Sequence, residues 1–509
     1  MPSTKAAKRR TETFKVFDAI ERWGNSLPHP FTLFILFSIA ALVLSWVASS
    51  IGVSVVHPVT GKRIVAVNLL DGQGIQNIIT KAVSNFTSFA PLGTVLVAMI
   101  GVGVAERSGL FSTVLKGLVA AAPAWLITTV VVFAGINSTI AADAGYVILI
   151  PLGAAIFAGA GKNPIVGLAA AFAGVSAGFS ADIFLTPIDP LLAGLTQEAA
   201  RLYDSTYTVP VTANYYIMAA AAFLLTGVGV WVTDRVVAPR FAPTTPNETV
   251  FFNKLRPEEK RGLIASGITV AAEILLLMLL TVPSNALLRD SKGTLDPLFS
   301  GMVTLMSIGF LIPGIVYGIV AGTIKNDREL GRMIEETMST MGSYIALAFA
   351  ASQFIAYFGW SNLGLILAIT GADFLKATGL SGIPLIVLFI FVCGLIDLFL
   401  ASASAKWAVI GPVFVPMLMI LGYSPELTQA AYRIGDSFTN VITPLMPYMP
   451  LVIAFAQKYQ PEIGLGTILV TMLPYSVAFA IGWTLLLVLW VAFGIPLGPG
   501  VSLTYPAGS

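Results

Sequence analysis

Long apolar runs separated by short polar links dominate the hydrophobic pattern of this chain. The first run, 31–53, contains no charged residue and is long enough to cross the hydrocarbon core of a bilayer as a helix. Further apolar runs follow at 91–105, 122–133, 164–195, 211–232, 263–282, 298–324, 345–357, 363–369, 384–400 and 465–493. We predict an all-α protein that crosses a membrane many times. A polar loop is expected from 54 to about 90, a charged connection at 234–261 and an amphipathic helix at 325–336.

One stretch, 397–451, departs from this pattern because it is apolar overall yet contains many charges and prolines. Its charged residues are Asp397, Lys406, Glu426, Arg433 and Asp436, and its prolines are Pro412, Pro416, Pro425, Pro444, Pro447 and Pro450. A charge at the bilayer centre costs about 3 kcal/mol, and an interior proline removes a helical hydrogen bond. Irregular backbone at membrane depth persists only where protein or a water-filled cavity covers it. We therefore predict a re-entrant helical hairpin followed by a broken helix, both lining a polar site.

Arg433 and Asp436 stand three residues apart, which places them on one face of a helix. They admit two interpretations that do not exclude each other. In the first, the two side chains neutralise each other so that both can be buried. In the second, Arg433 binds the substrate and Asp436 carries a proton or another cation.

Trp407 lies beside Ser402 and Ser404 and also has two interpretations. It is either an anchor at the membrane interface or a wall on which an aromatic substrate stacks, with the serines as hydrogen-bond donors. Lys406 and Lys162 are interpreted as side chains that snorkel to water.

The first half of the chain contributes three acids in apolar surroundings, Asp143, Asp182 and Asp189. A carboxylate within a membrane indicates a functional site, because its burial is costly. Capping the end of a half-helix is the structural alternative for each of them.

An internal repeat connects the two halves. The string AGFSADIFLTPIDP from Ala177 aligns with IGDSFTNVITPLMP from Ile434 at an offset of 257 residues, which pairs Thr186-Pro187 with Thr443-Pro444. Short segments interrupted by glycine and proline in both halves are typical of transporters with inverted repeats, whose substrate sites lie at the membrane midplane.

Composition agrees with a membrane protein, since 56% of residues are hydrophobic and 11% are charged. The net charge of +2 does not suggest nucleic acid as a partner. One cysteine, Cys393, and two histidines, His29 and His57, exclude a Cys/His zinc cluster, and no metal site is predicted. The first apolar run is too long for a signal-peptide core and has no convincing cleavage site, so we expect it to be retained.

Basic residues predict the orientation. The N-terminal tail and the link at 235–261 each hold six lysines or arginines, and no charged residue follows Glu462. We expect the N-terminus and this link to be cytoplasmic. The C-terminus is expected outside, which requires an odd number of crossings.

The sequence contains no convincing nucleotide-binding motif. In IFAGAGKN, Ile156 stands where a Walker motif has its first glycine and Asn163 where it has Ser or Thr. In GVGVAERSG, Glu106 takes the place of the third glycine. We expect no cofactor, and transport would be driven by an ion gradient.

These strings resemble the p-aminobenzoyl-glutamate transporter (AbgT) family over essentially the full length. The resemblance rests on PHPFTLF, FAPLGTVL, VAERSGLF, DAGYVILIPLGAAIF, TPIDPLLAG, LSGIP, SASAKW, GPVFVPM, YRIGDSF and GIPLGPG. It implies an ion-coupled transporter of the bacterial inner membrane, a homodimer whose protomers have nine transmembrane helices, two re-entrant hairpins and inverted repeats.

The resemblance also implies site residues. Those for substrate or proton binding are Ser404, Trp407, Pro425, Arg433, Asp436, Pro444, Asp189 and Asp397. Residues placed at cation or hairpin-tip contacts are Asn137, Ser138, Asp143, Asp182, Ser402 and Asn440. Some relatives have asparagine where this chain has Asp397, which leaves the role of that residue open.

The implied substrates are p-aminobenzoyl-glutamate or related p-aminobenzoic acid compounds, with sulfonamide export in some members and H⁺ or Na⁺ as the coupling ion. The sequence leaves uptake or export open, and it leaves three alternative functions. These are a transporter of another small carboxylate of the dicarboxylate or citrate type, an ion channel, and an intramembrane aspartyl enzyme. An enzyme would need two facing aspartates, and no local catalytic signature accompanies them.

Five segments are predicted along the chain. Residues 1–86 hold the tail, the first transmembrane helix and an external loop, and 87–195 hold the first repeat with its hairpin. Residues 196–340 connect the repeats and form a dimerisation scaffold, 341–451 hold the second repeat with its hairpin, and 452–509 hold the last transmembrane helix.

Overall fold

The computed structural model describes residues 28–120, 123–141, 144–242 and 255–505. The basic N-terminal tail, Asp143 and much of the charged connection at 234–261 therefore lie outside the described residues. Within the described residues, the chain is helical apart from one small hairpin of strands and short irregular links. This agrees with the predicted all-α class.

Twenty α-helices follow one another in the described part of the chain. They are α1 (Pro30–Ser50), α2 (Gly72–Thr87), α3 (Ala90–Arg107), α4 (Leu110–Ala120), α5 (Ile127–Ile136), α6 (Ala144–Gly159), α7 (Pro164–Phe172), α8 (Ile188–Ala200), α9 (Tyr215–Val232), α10 (Pro257–Thr281), α11 (Asp296–Ser300), α12 (Met302–Ala321), α13 (Asp327–Thr340), α14 (Gly342–Trp360), α15 (Leu363–Ala377), α16 (Gly382–Asp397), α17 (Ala403–Ile420), α18 (Pro425–Phe438), α19 (Met449–Gln457) and α20 (Leu465–Ala492).

Eight helical segments of the described chain are long and apolar enough to cross a membrane. Helix α1 illustrates why, since its 21 residues have a mean hydropathy of 2.4 and rise about 32 Å at 1.5 Å per residue. Pro30 begins this helix and the His29 side chain accepts a hydrogen bond from the amide of Phe31, so the sequence itself fixes where it starts.

The prediction of a polar loop between 54 and about 90 is wrong. Strands β1 (Ser54–Val56) and β2 (Arg63–Val65) form an antiparallel hairpin there, and helix α2 follows. Asp71 caps α2 by accepting from the amide of Gly74 at 2.6 Å. The prediction failed because α2 is amphipathic and its polar side chains lowered the mean hydropathy of the segment.

Helix α4 was also missed, because Ser112, Thr113 and Lys116 interrupt its apolar pattern. The apolar run predicted from residue 122 becomes a helix only at Ile127, after a 3₁₀ turn over Ala124–Leu126. The amphipathic helix predicted at 325–336 is confirmed as α13.

Helices α3, α10, α12 and α13 pack together as one group. Gly101 of α3 lies against the backbone of Ser307 in α12, where an added Cβ would stand 1.8 Å from the carbonyl oxygen. Small residues permit such close approach between membrane helices. Only 6% of the most apolar window of α10 is buried, so this helix presents a broad apolar surface to the outside of the protomer.

The positions where helices begin and end show the internal repeat more clearly than the aligned residues do. Helical elements of the first half have counterparts that begin or end 261 residues later. Elements end at Ile136 and Asp397, at Gly159 and Ile420, and at Ala177 and Phe438, and they begin at Pro164 and Pro425 and at Ile188 and Met449. The prolines inside α6 and α17, Pro151 and Pro412, obey the same offset. The aligned strings suggested 257, which is about one helical turn away.

The sequence alignment gave an offset that differs by four residues, because apolar strings rich in glycine, serine and proline can be aligned in several registers. At an offset of 261, Thr186 and Thr443 are not counterparts. Inverted topology and the five predicted segments remain predictions.

The C-terminal residues fold back onto the links after α8 and α17. The amide of Tyr505 donates to the carbonyl of Gly422, and its hydroxyl donates to Asp204 at 3.1 Å. The hydroxyl of Thr206 donates to Asp204 and lowers the pKa of that carboxyl. Burial, followed by the nearby Asp204 carboxylate, raises the pKa of Tyr505 to about 12.

Candidate functional site

Two helical hairpins and two interrupted helices surround the candidate site. In the first half, α5 and α6 form the arms of a hairpin, and in the second half α16 and α17 do so. Helix α5 has ten residues and rises about 15 Å, half of what a bilayer crossing needs. Its length fits an element that enters the membrane and turns back.

Each hairpin is followed by a helix that is interrupted by an irregular segment before the next helix begins. Helix α7 continues as a π turn over Ala173–Ala177 and then loses regular structure until α8 begins. Helix α18 ends at Phe438, and α19 begins only at Met449. The broken helix predicted within 397–451 is present, whereas the hairpin begins earlier than predicted, because its first arm is α16 (Gly382–Asp397) and its second arm is α17 (Ala403–Ile420). The re-entrant course of the hairpin remains a prediction.

Arg433 of α18 forms an ion pair with Asp189 of α8, with Nη1 2.6 Å from Oδ1. Its Nη2 donates to the carbonyl of Ser180 at 3.2 Å. The other oxygen of Asp189 accepts from the amide and the hydroxyl of Thr186, at 2.6 and 3.0 Å. This pair connects the second half of the chain to the irregular segment of the first half.

The proposed pairing of Arg433 with Asp436 is wrong. One turn of α18 separates them, but Arg433 contacts the first half whereas Asp436 contacts Lys406 of α17, with Nζ 2.7 Å from Oδ1. Spacing along a helix places two side chains on a similar face, and it does not reveal a better partner from another element.

Lys406 does not snorkel to water, because 0% of its side chain is exposed. It forms ion pairs with Asp397 and Asp436, and the Tyr432 hydroxyl donates to Asp436 at 3.1 Å. The Thr439 hydroxyl donates to the second oxygen of Asp397 at 2.7 Å. Lys406 is therefore the centre of a second charged network, which we call the Lys406 network (Asp397, Lys406, Asp436).

The helix dipoles make the ion pair between Asp397 and Lys406 favourable. Asp397 ends α16 and Lys406 lies in the first turn of α17, so each charge stands at the helix end that disfavours it. Their ion pair offsets both penalties across the hairpin tip at 398–402. The Thr443 hydroxyl also donates to the carbonyl of Leu398 at 3.0 Å, which joins the tip to the break after α18.

Trp407 is not an interface anchor, since the protein encloses its entire side chain. Its ring stacks on Tyr432 with centroids 4.3 Å apart and planes at 22°. Its Nε1 donates to the hydroxyl of Thr196 at 2.8 Å. Tyr146 stands 261 residues earlier and stacks on Tyr448 at the same centroid distance.

A chain of polar side chains continues from Thr196 to the surface. The Thr196 hydroxyl donates to Gln429, whose Nε2 donates to Asn214, and Asn214 donates to the carbonyl of Glu426. Tyr207 donates to the Glu426 carboxylate at 2.9 Å. Sequence reasoning missed Thr196, Gln429 and Tyr432, because uncharged polar residues carry little signal in an apolar helix.

The remaining predicted residues occupy the hairpin tips and helix ends. Asn137 accepts from the amide of Ile183 at 3.0 Å and joins the first tip to the break after α7. Ser402 caps α17, and Pro425 begins α18 behind the cap Ser424. The contacts of these residues hold the backbone of the hairpin tip and of the helix ends in place.

Others make fewer contacts across the site. Ser138 donates within its own turn to Gly135, while Ser404 and Pro444 are half-buried. The buried side-chain oxygen of Asn440 and both oxygens of Asp182 have no hydrogen-bond partner among the described residues.

The described residues contain no cluster of three or more His, Cys, Asp or Glu side chains that could hold a metal ion. A cavity of about 410 Å³ lies between α4, α5, α10 and α12, and its mainly apolar lining includes Asn137. Another groove, between α9 and α20, is apolar and contains none of the charged residues of the site in its lining.

Comparison with known proteins decides the family. The family model described as "AbgT putative transporter family" matches residues 15–505. The chain belongs to the AbgT family. It is 36% identical to the p-aminobenzoyl-glutamate transport protein of Escherichia coli K12 over 494 residues, which are 96% of this chain and 97% of that relative.

Two solved AbgT-like structures share the fold. The YdaH transporter of Alcanivorax borkumensis is 45% identical and superposes with a TM-score of 0.89, covering 93% of this chain and 100% of YdaH. MtrF of Neisseria gonorrhoeae, described with a class of antimetabolite efflux pumps, is 45% identical with a TM-score of 0.90, covering 96% of this chain and 100% of MtrF. The resemblance expected from the motifs is confirmed, and the chain is a multi-pass membrane protein of a transporter family.

Proposed function

We propose that this protein is a secondary transporter, driven by an ion gradient, for p-aminobenzoyl-glutamate or related p-aminobenzoic acid compounds. The ion pair between Arg433 and Asp189 is the observation on which the proposal depends most. It joins the two halves of the chain at a helix break, as expected for a transporter site at a repeat interface. The name of the Escherichia coli relative supports the substrate class.

The substrate's carboxylate would be bound by Arg433, because a guanidinium forms two parallel hydrogen bonds with a carboxylate or sulfonyl group. Arg433 is only 2% exposed and already paired with Asp189. Binding must therefore separate this pair, and the two halves must move apart. Trp407 would stack on the aminobenzoyl ring after a similar rearrangement, since Tyr432 covers one of its faces.

Coupling to an ion is supported by an excess of buried acids over buried bases. Seven charged groups in and beside the site are buried in the described residues, namely Asp182, Asp189, Asp397, Glu426, Asp436, Arg433 and Lys406. Five carboxylates against two cations leave three negative charges uncompensated when all are ionised. Uncompensated charge in an apolar interior favours uptake of H⁺ or Na⁺, and Asp436 is the carrier that we propose in the Lys406 network.

Export of sulfonamide antimetabolites is the second candidate function. It is supported by the 45% identity to MtrF, which is described with a class of antimetabolite efflux pumps, compared with 36% to the Escherichia coli relative. The same Arg433 can bind a sulfonyl oxygen, so the direction of transport, and not the site, separates the two candidates.

We further propose a homodimer in the bacterial inner membrane with a cytoplasmic N-terminus. The apolar outer surface of α10 supports a partner or lipid contact there, since only 6% of its most apolar window is buried in the protomer.

Counterflow in reconstituted vesicles tests the substrate directly. Vesicles loaded with unlabelled p-aminobenzoyl-glutamate should accumulate the labelled compound transiently, because a carrier exchanges substrate across the membrane and a channel does not. Arg433→Ala should abolish this exchange, with Arg261→Ala as a control outside the site. Equal counterflow with citrate would favour the alternative of a dicarboxylate transporter, and a flux that never saturates would favour a channel.

A further inference from the structure

The cavity between α4, α5, α10 and α12 is large, and the charged site described above does not use it. Its volume is about 410 Å³, within the range of roughly 300–1,000 Å³ that is typical of small-molecule sites. Protein interiors rarely leave voids larger than a water molecule. An apolar cavity of only about 150 Å³ already stays dry and binds apolar molecules. A cavity of this size and lining therefore suits an apolar occupant.

The chemistry of the lining does not suit a charged ligand. Among the described residues, the lining has no charged side chain, and its polar side chains are Asn137 and Ser266. Asn137 donates to the carbonyl of Phe133 and accepts from the amide of Ile183, both at 3.0 Å. Ser266 donates to the carbonyl of Pro313 at 2.9 Å. An ionised carboxylate here would lose its hydration without a counter-ion, so the cavity is not a second site for an anionic substrate.

The mouth of the cavity opens on the outer surface of the protomer. Phe184 and Leu118 belong to the lining and are 52% and 45% exposed, and Val270 is 40% exposed. Val270 lies near the centre of α10, the helix whose most apolar window is only 6% buried. The centre of a transmembrane helix lies in the hydrocarbon core of the bilayer. Acyl chains of the membrane therefore reach the mouth of the cavity.

We propose that this cavity binds an acyl chain of a membrane phospholipid, which enters beside α10. The bound chain contacts α5 of the first hairpin and, on the opposite wall, α10 and α12. Asn137 connects the cavity to the charged site, because it lines the cavity and holds the amide of Ile183, next to Asp182. The acyl chain thus braces the first hairpin against α10 and α12, and this role is separate from substrate binding.

Two glycines of the lining allow the cavity to be filled by substitution. A Cβ added at Gly267 of α10 or at Gly309 of α12 would meet no heavy atom within 4 Å. Leucine is also a better helix former than glycine, so Gly267→Leu and Gly309→Leu should fold and occupy part of the space. Gly227→Leu is the matched control, because Gly227 is equally open but lines the other groove, between α9 and α20.

Photolabelling identifies the occupant. The protein would be reconstituted in vesicles of phosphatidylethanolamine and phosphatidylglycerol, in which a fraction of the phospholipid has a diazirine at the end of one acyl chain. We expect labels on the lining residues Phe111, Phe133 and Phe310. Gly267→Leu and Gly309→Leu should lower this labelling several-fold, whereas Gly227→Leu should not change it. Labels on the exposed Val477 and Leu485 of α20 provide the internal standard.

Three outcomes would overturn the proposal. The first is cavity labelling that is absent in the wild type or undiminished in both leucine variants. The second is labelling by a short diazirine-bearing alkane but not by the phospholipid, which would assign the cavity to an apolar solute. The third is cross-linking of two protomers through Val270→Cys in a Cys393→Ala background without lipid labelling, which would assign the mouth to a second copy of the chain.

Thermal unfolding provides a second readout. Adding the same phospholipids to the delipidated protein should raise the unfolding midpoint, because a ligand that binds only the native state stabilises it. The rise should be smaller in Gly267→Leu and Gly309→Leu than in Gly227→Leu, and an equal rise in all three would contradict binding in the cavity. If one leucine variant does not fold, the other provides the comparison. Neither experiment uses p-aminobenzoyl-glutamate, so failure of the proposed substrate would leave both results valid.

Discussion

At the scale of single residues, the site consists of charges that neutralise each other within an apolar interior. Arg433 has its partner in the other half of the chain, and Lys406 has two partners in its own half. Buried ion pairs contribute little net stability compared with apolar packing, but removing one member is costly. Their persistence here fits a site whose charges are needed for transport.

The Arg433–Asp189 pair predicts the outcome of a charge exchange. Arg433→Ala should destabilise the protein by about 3–5 kcal/mol, because it leaves Asp189 buried without a counter-ion. The double variant Arg433→Asp with Asp189→Arg should recover most of the unfolding midpoint but not transport, since the cation then stands on α8. Recovered transport would reduce the pair to a structural contact.

The matching exchange of Arg433 with Asp436 serves as its control. These two residues are not paired in the structure, so exchanging them should disrupt both charged networks and lower the unfolding midpoint below that of either single variant. If exchanging Arg433 with Asp436 restored the unfolding midpoint while exchanging Arg433 with Asp189 did not, the pairing of Arg433 with Asp189 would be contradicted.

Lys406 supports a second prediction at this scale. Lys406→Met leaves Asp397 and Asp436 without their common cation, and we expect a loss of about 3–5 kcal/mol in the free energy of unfolding. Adding Asp397→Asn and Asp436→Asn should restore most of that stability by removing the unpaired charges. An unchanged unfolding midpoint in Lys406→Met alone would show that Lys406 does not form these ion pairs in solution.

The sequence indicated which charges belong to the site but not how they are paired. Asp189, Asp397, Arg433 and Asp436 were recognisable because charges are rare in apolar segments. Their partners come from distant elements, so spacing along one helix gave the wrong pair. Lys406 was taken for a snorkelling residue because a long side chain near a helix end has that option, and its burial depends on how α16, α17 and α18 meet.

At the scale of elements, the tip of the second hairpin is held to the break after α18 by polar contacts. Lys406 pairs with Asp397 across the tip, Thr439 donates to Asp397, and Thr443 donates to Leu398. The half-buried tip can separate from α18 once these polar contacts are replaced.

Weakening these contacts should loosen the tip measurably. In a Cys393→Ala background, the half-buried Ser404→Cys should react with a water-soluble maleimide slowly, and adding Thr439→Val with Thr443→Val should raise the rate several-fold. Each lost hydrogen bond contributes about 0.5–1.5 kcal/mol. Thr378→Val, whose hydroxyl donates only within its own helix end, is the control and should leave the rate unchanged.

Long uncharged helices were predictable from the sequence, whereas short and amphipathic ones were not. Helix α1 agrees closely with its predicted run because its hydropathy and the His29-Pro30 start are both readable in the sequence. Helices α2 and α4 were missed because their polar residues face neighbouring helices or water. The repeat register was one turn off, since helix ends are set by caps and packing that an alignment of apolar residues does not contain.

At the scale of the whole molecule, the structure contains two related halves and a group of helices, α3, α10, α12 and α13, that pack against one another. Arg433–Asp189 joins the halves, and its separation would allow one half to move against the other. Such rocking around a central site is how transporters with inverted repeats give alternating access.

The odd number of crossings is a prediction about this whole architecture. Single cysteines at Asn247 and Ser509, both outside the described residues, should be labelled by an impermeant reagent from opposite sides of the membrane in a Cys393→Ala background. We expect the link at 235–261 to be cytoplasmic because it holds six basic residues. Labelling of both positions from one side would contradict the predicted orientation.

Gradient-driven accumulation of p-aminobenzoyl-glutamate in reconstituted vesicles tests the central claim most directly. Proton and sodium gradients would be imposed separately, in each direction, on vesicles containing the wild type, Arg433→Lys or no protein. We expect the wild type to concentrate the compound in response to one of these gradients, and to reverse when the gradient is reversed. Arg433→Lys keeps the charge but loses the bidentate geometry, so it should transport far less at equal protein content. Accumulation that does not depend on either gradient would contradict the claim that the protein is an ion-coupled carrier. Equal accumulation by Arg433→Lys would contradict the claim that Arg433 lies at the substrate site.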